Sequence, residues 1–377
     1  MGTKFFLRLF IGILSIVVMG SFENAKNPAG ILFCVEVDNK YGYIDQTGKF
    51  VIEPQFKFAE NFSEELACVK VDNKYGYIDK KGEFIIKPQF EFAENFSEGL
   101  ACVYIEHKCG FIDKTGQFVI APQYEEAENF SEGLACVRIG GQWGIIDKNG
   151  VMKINPQFDN IGTFCDDLAE FRVGGYRGKS GYIDRAGKYI INPQFDSALS
   201  FSNGLACVKI GDNWGFIDKT GQFVINPQFD FVHDFVEGFS CVKVGDKYGY
   251  INCLGKYIVN PQFSFADDFS EGLARVEVGD RFGFINKTGE FVIVPQFSIA
   301  YDFSEGLACV CIGNKCGYVD KSGAYVINVQ FDSASDFIDG IARVRVGDKY
   351  GFIDKTGKFI IEPKFDDIKN WEQVIKK

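Results

Sequence analysis

The sequence predicts an all-β tandem repeat array. One pattern of about 34 residues recurs ten times, apolar and polar residues alternate with period two inside each copy, and Gly or Pro interrupts the pattern too often for helix pairs. A period of 34 also fits a helical-hairpin solenoid. However, the longest Gly- and Pro-free stretch in most copies is about ten residues, short of the two runs of about twelve that such a hairpin needs.

Residues 1–20 differ from everything that follows. Lys4 and Arg8 precede the apolar run Leu9 to Gly20, which is short for a membrane span and suits the apolar core of an export signal. The sequence therefore predicts a signal peptide, or an N-terminal membrane anchor if it stays uncleaved. Export to the periplasm, cell surface or medium follows, and membrane contact is expected only through an uncleaved segment. Residues 21–31 read as a linker, 32–367 as the ten repeats and 368–377 as a C-terminal cap.

The repeats align on ten glycines: Gly42, Gly76, Gly110, Gly144, Gly181, Gly215, Gly249, Gly283, Gly317 and Gly351. Eight of the nine intervals are 34 residues. The ninth is 37, its extra residues falling in the turn Gly174 to Ser180, where a surface loop tolerates them.

Within the second copy, Leu66 to Val71 alternates as a strand, Asp72-Asn73-Lys74 turns, and Tyr75 to Asp79 forms a second strand. Asp79 to Gly82 has the signature of a type I turn with a bulge. Phe84 to Ile86 is a third strand, which Pro88 is expected to end because proline has no N–H for a ladder. Each copy thus reads as a three-stranded antiparallel meander. The link that follows reads as a loop whose Phe (Phe62, Phe96 and their counterparts up to Trp371) plugs the seam between neighbours.

Ten such meanders predict an open or gently curved superhelix. A closed propeller-like ring is the alternative, disfavoured because no leftover strand is evident to lock it. The tail is expected to cap the last copy through Ile368 and Trp371.

Trp143-Gly144-Ile145-Ile146-Asp147 and Trp214-Gly215-Phe216-Ile217-Asp218, each followed by a turn glycine and Asn-Pro-Gln-Phe, resemble the bacterial WG-repeat (KWG) family. The resemblance spans about residues 32 to 367. It implies a β-repeat architecture and interaction functions, and it supplies no catalytic residues. Tyr or Phe replaces Trp in five copies, while Cys109, Ser180 and Cys316 leave three without a ring.

A net charge of −11 argues against nucleic acid as a partner. The only histidines, His107 and His233, fall at unrelated positions of the repeat, so no catalytic constellation is evident and no cofactor is expected. Glu64, Glu98 and their counterparts read as a solvated acidic rim. Asp267, Asp268 and Glu271 cluster without a calcium-loop spacing, and Cys309, Cys311 and Cys316 match no familiar zinc site, so no metal is assigned. Seven cysteines share one register (Cys34, Cys68, Cys102, Cys136, Cys207, Cys241 and Cys309). Glu170, Arg275 and Arg343 hold it elsewhere, so it is expected to be semi-buried, its members too far apart to cross-link along the array.

The candidate binding residues are the aromatic row before the anchoring glycine: Tyr41, Tyr75, Trp143, Trp214, Tyr248, Phe282 and Tyr350. Such a row suits stacking on sugars or gripping peptides, and its glycine admits close approach by a ligand or by another backbone. The sequence therefore predicts a non-catalytic exported scaffold with protein partners, or a module for cell-wall glycan.

Overall fold

The computed structural model describes residues 31–369 and 371–372; the candidate export segment lies outside them. Each repeat contributes to an antiparallel sheet of four strands, one more than expected. In the second sheet these are a link strand Phe58–Ala59, a cysteine strand Ala67–Val71, a glycine strand Lys74–Ile78 and a proline strand Phe84–Phe90, paired in that order.

The link strand escaped notice because it is two residues long in eight of the ten sheets, too short to show a period. It lengthens to six residues only at Phe265–Ser270 and Ile299–Ser304. A two-residue turn stands just before the cysteine strand. Glu64 and Glu65 occupy that turn at φ 50° and 76°, flanked by paired hydrogen bonds between Ser63 and Leu66. Elsewhere the second turn position is mostly glycine, the residue that takes positive φ without strain.

Proline does not end the last strand. The glycine and proline strands pair at Tyr75↔Phe90 and Tyr77↔Ile86, so one residue, Gly76, stands opposite the three residues Lys87 to Gln89. The proline strand bulges at Pro88, and as an edge strand it can spare the missing donor. The bulge passes directly over the glycine. A Cβ at Gly76 would lie 2.6 Å from the carbonyl oxygen of Ile86 and from the nitrogen of Pro88. The anchoring glycine is thus required by the crossing of another backbone, one of the two explanations the sequence left open.

The array closes into a ten-bladed, propeller-like ring instead of an open superhelix. Asp367–Ile368 is the link strand of the first sheet, pairing as Val35↔Ile368 and Glu36↔Asp367. The locking strand judged absent is therefore the start of the tail. The closing seam repeats the contacts of the others: Gly48 packs on Ile361 as Gly82 packs on Ile52 and Gly116 on Ile86. Asn61 also donates to the Lys369 carbonyl at 3.1 Å, and Trp371 is buried against Phe352.

Each seam holds a separate core. Phe96 packs on Tyr77 with ring centroids 4.8 Å apart, and the Tyr77 hydroxyl donates to the Glu94 carbonyl at 2.6 Å. The same pair recurs as Tyr43–Phe62, Tyr250–Phe269 and Tyr318–Phe337. One unit's rings are completed only by the next, which is why the unit needs neighbours.

Candidate functional site

The aromatic row is half-buried, with Tyr75 fully so. Most of its rings have a cation over them. Cross-strand pairing supplies Lys70 over Tyr75 at 4.8 Å, Lys209 over Trp214 at 5.9 Å and Lys243 over Tyr248 at 5.4 Å, while Arg343 reaches Tyr350 at 4.9 Å and Lys369 of the tail reaches Tyr41 at 4.3 Å. Arg275 stands between Phe265 and Phe282. Ring edges meet the link-strand Phe of their own and the following unit, as Phe58 and Phe92 do on Tyr75. Trp143 packs into the core of the seam after the fourth repeat, and Trp214 into the one after the sixth. The structure thus assembles the row into a series in which most rings are shared between packing and a cation.

A second surface was not singled out from sequence. In most proline strands the first two residues, an aromatic and a β-branched aliphatic, are both exposed; Phe50, Met152 and Phe359 are instead partly buried, each packed against a seam core. Phe84, Phe118, Tyr189, Phe223, Phe291 and Tyr325 are each about two-fifths exposed, and so are Ile85, Val119, Ile190, Val224, Val292 and Val326 beside them. The third residue, Ile86 or its counterpart, is buried. Phe84, Phe118, Phe223 and Phe291 lean edge-on against the last Phe of the preceding proline strand, as Phe84 does on Phe56, whereas Tyr189 lies tilted at 39° to Phe158. The result is a belt of apolar residues running from unit to unit along the sheet edges. Its signal was present in the run Phe-Ile-Ile, but three apolar residues in succession do not show which face is wet.

The cysteine register is fully buried, deeper than expected: Cys34, Cys68, Cys102, Cys207 and Cys309 have no exposed surface. Four of the thiols, those of Cys34, Cys68, Cys241 and Cys309, point at a link-strand carbonyl of the next unit, such as Cys68 Sγ to Ala93 O at 3.5 Å, whereas Cys207 Sγ lies 3.3 Å from Asp234 Oδ1. Arg275 and Arg343 are accommodated because their longer side chains reach the same carbonyl position, at Ala300 and at Ile368. Glu170 fits because Gly162 leaves room beside its carboxylate and Ser200 donates to it at 3.0 Å. Burial holds these thiols protonated, pushing Cys309 up to about 12. As expected, the seven do not cross-link with one another. A disulfide that the sequence reading missed joins Cys311 to Cys316. Their repeat registers match Lys243 and Tyr248, a directly opposed pair, and that alignment was the available signal.

The acidic residues after the seam Phe are working contacts as well as a rim. Glu98 accepts from Gly133 N at 2.9 Å in the next unit and pairs with Lys148 at 3.0 Å. Glu64, Glu237, Glu271 and Glu305 repeat this arrangement. Asp267 and Asp268 are engaged by Arg275 and His233 respectively, so with Glu271 they form no common cation site. Among the described residues no helix is long and apolar enough to cross a membrane.

The model of the family described as "WG containing repeat" matches ten successive segments: 41–75, 75–109, 110–143, 143–176, 181–214, 214–248, 248–281, 282–316, 317–350 and 350–373. The chain belongs to the WG-repeat family. In this WG-repeat protein the W position is varied, buried at Tyr75, Cys109, Ser180 and Cys316 and half-buried in the other copies, while the G position is fixed by the backbone crossing. No curated protein matches the chain.

Among solved structures, a eukaryotic initiation factor is similar in fold, with a TM-score of 0.50 at 10% identity over 79% of this chain and 95% of its own. The dihydro-heme d1 dehydrogenase NirN matches with a TM-score of 0.35 at 12% identity over 69% of this chain and 72% of its own. PorZ, a surface component of the type-IX secretion system of Porphyromonas gingivalis, matches with a TM-score of 0.27 at 11% identity over 88% and 59%.

Proposed function

We propose that this WG-repeat protein is an exported, non-catalytic scaffold whose apolar belt docks protein partners. The observation that carries the reading is the recurrence of an exposed aromatic–aliphatic pair at the edge of successive blades. A soluble protein does not ordinarily keep so long an apolar surface unless something covers it. Aromatic side chains supply large contact area at low entropic cost, and the chain's net charge of −11 favours a partner with basic residues flanking its own apolar patch. The proline-strand bulges discourage open-ended strand addition along the same edge, which directs binding to side chains. Export rests on the segment around Leu9 to Gly20.

The test is a pulldown with the full chain against envelope proteins and isolated cell wall. A variant carrying Phe223→Ser, Val224→Ser, Phe291→Ser and Val292→Ser is run beside one carrying Trp143→Ala and Trp214→Ala. A discrete protein captured by wild type and lost only with the belt variant supports the scaffold. Wall binding competed by soluble glycan and lost with the tryptophans replaces it by a glycan module on the aromatic row.

A further inference from the structure

The ninth repeat departs from the others in one hairpin, Leu307–Ile312 with Lys315–Asp320. Cys311 faces Cys316 across it, and Cys309 lies two residues before Cys311 on the same strand. Residues two apart share a face of a sheet, and directly opposed residues share it too, so the pleat gathers three sulfurs on one side. Those sulfurs all lie within 4.8 Å of one another, and all three residues are buried. Leu307, Tyr318, Phe331 and Ala334 surround them.

In the second and seventh repeats the three registers hold Cys68, Lys70 and Tyr75, or Cys241, Lys243 and Tyr248, with the amine over the ring. The ninth repeat replaces that cation–ring pair with two thiols and so converts a packing contact into a donor set. The third repeat goes half-way, with Cys102 and Cys109 but Tyr104 in the remaining place.

We propose that, when the Cys311–Cys316 disulfide is reduced, Cys309, Cys311 and Cys316 become a three-thiolate site for a soft monovalent cation, copper(I). Among the described residues no histidine or carboxylate joins the group. All-sulfur donors select soft ions. Three thiolates complete the trigonal environment of copper(I), whereas zinc takes four ligands and would have to draw water into this apolar hairpin. The cluster of His233, Asp267 and Asp268 is the contrasting case: two of its donors are hard carboxylates, and Arg275 already pairs with one of them.

The steps balance with a dithiol as reductant. Its two S–H bonds break and its own S–S bond forms; two electrons and two protons pass to the protein, the Cys311–Cys316 bond breaks and two thiols form. Copper(I) then displaces three protons to solvent and makes three Cu–S bonds. The oxidised hairpin keeps a single thiol donor, so the site is gated by redox state.

The full chain is reduced with a dithiol, freed of it without air, and titrated with copper(I) against a coloured copper(I) chelator. Oxidised chain, Cys309→Ser and Cys102→Ser run in parallel, which separates this site from the other free cysteines. Expected is one equivalent held at least about tenfold more tightly by reduced wild type and Cys102→Ser than by the oxidised chain or Cys309→Ser. Equal retention by the oxidised and reduced wild type overturns the site, and that comparison needs no variant to fold. Tight uptake of zinc in place of copper(I) overturns the choice of metal.

Discussion

At the scale of single residues, two kinds of glycine do different work, and substitution separates them. Gly215 has no positive φ; what excludes a side chain is the carbonyl oxygen of Ile225, 2.5 Å from where a Cβ would sit. Gly204 has open space around it but φ of 81°. Asparagine visits that backbone region readily, and the equivalent turn position already carries Glu65 and Asp167 in other units. Gly204→Asn is therefore expected to change stability by less than about 0.5 kcal/mol, and Gly215→Ala to cost about 1–3 kcal/mol, read by urea denaturation. Glu170 offers a second residue-scale test. Burial raises its carboxyl above the usual range, so the folded state loses stability as pH rises from the unfolded value through the folded one. Glu170→Gln removes that loss. Its melting temperature should exceed wild type by ~2 °C at pH 7, with the difference vanishing below about pH 4.

At the scale of elements, the tight turn between glycine and proline strands is held by one carboxylate. Asp218 accepts from the nitrogens of Thr220 and Gln222 at 2.9 and 3.0 Å and from the Thr220 hydroxyl at 2.6 Å. The Thr220 hydroxyl bond is the largest of the causes that hold its carboxyl below the usual range, and Asp45, Asp113, Asp320 and Asp354 are lowered as well. A depressed carboxylate stabilises the fold above its unfolded pKa, and that contribution is lost as pH falls through the folded one. Thermal melts should accordingly fall away below about pH 4, opposite in sign to the Glu170 effect. These turns and the two long central strands were legible in sequence, because Asp…Gly spacing and strict alternation each have one structural meaning. The link strand was not, since two residues carry no period. The run through Pro88 was misread because a proline that ends a central strand can also sit in the bulge of an edge strand. Val329, which replaces that proline in the ninth repeat within an intact strand, shows that the fold does not require it. Pro193→Val, Pro227→Val and Pro261→Val together should leave the circular dichroism spectrum unchanged while raising light scattering on storage, as an unguarded edge would.

At the scale of the whole molecule, closure adds a latch at the tail to the ordinary seam contacts. Ile368 and Trp371 are buried, and Asp366 reaches the Asp38 nitrogen at 2.8 Å. A chain ending at Phe365 should lose this latch. The expected readouts are a larger radius of gyration in solution scattering and an unfolding transition that splits or broadens as the ring becomes a linear stack. An unchanged radius with one sharp transition would show that the remaining seam contacts close the ring unaided. Closure was illegible for a physical reason: ten equal repeats specify how one unit sits on the next, but whether the tenth returns to the first depends on the angle each step takes. The site was partly legible. The aromatic row and the cysteine register could be read by aligning copies, whereas the wet face of the proline strand emerges only when the sheets are assembled.

The latch also bears on how such a gene can change. Tandem copies this alike invite unequal recombination, which adds or removes whole units at a stroke. In a linear stack an extra copy is neutral to its neighbours. Here each copy turns the chain by a tenth of a revolution, so an eleventh would place Asp367–Ile368 away from Val35 unless every seam tightened to make room. Closure therefore constrains a count as well as residues: single positions vary from copy to copy, as Ser180 does where Trp214 stands in the next repeat, while the number of copies is set by the ring.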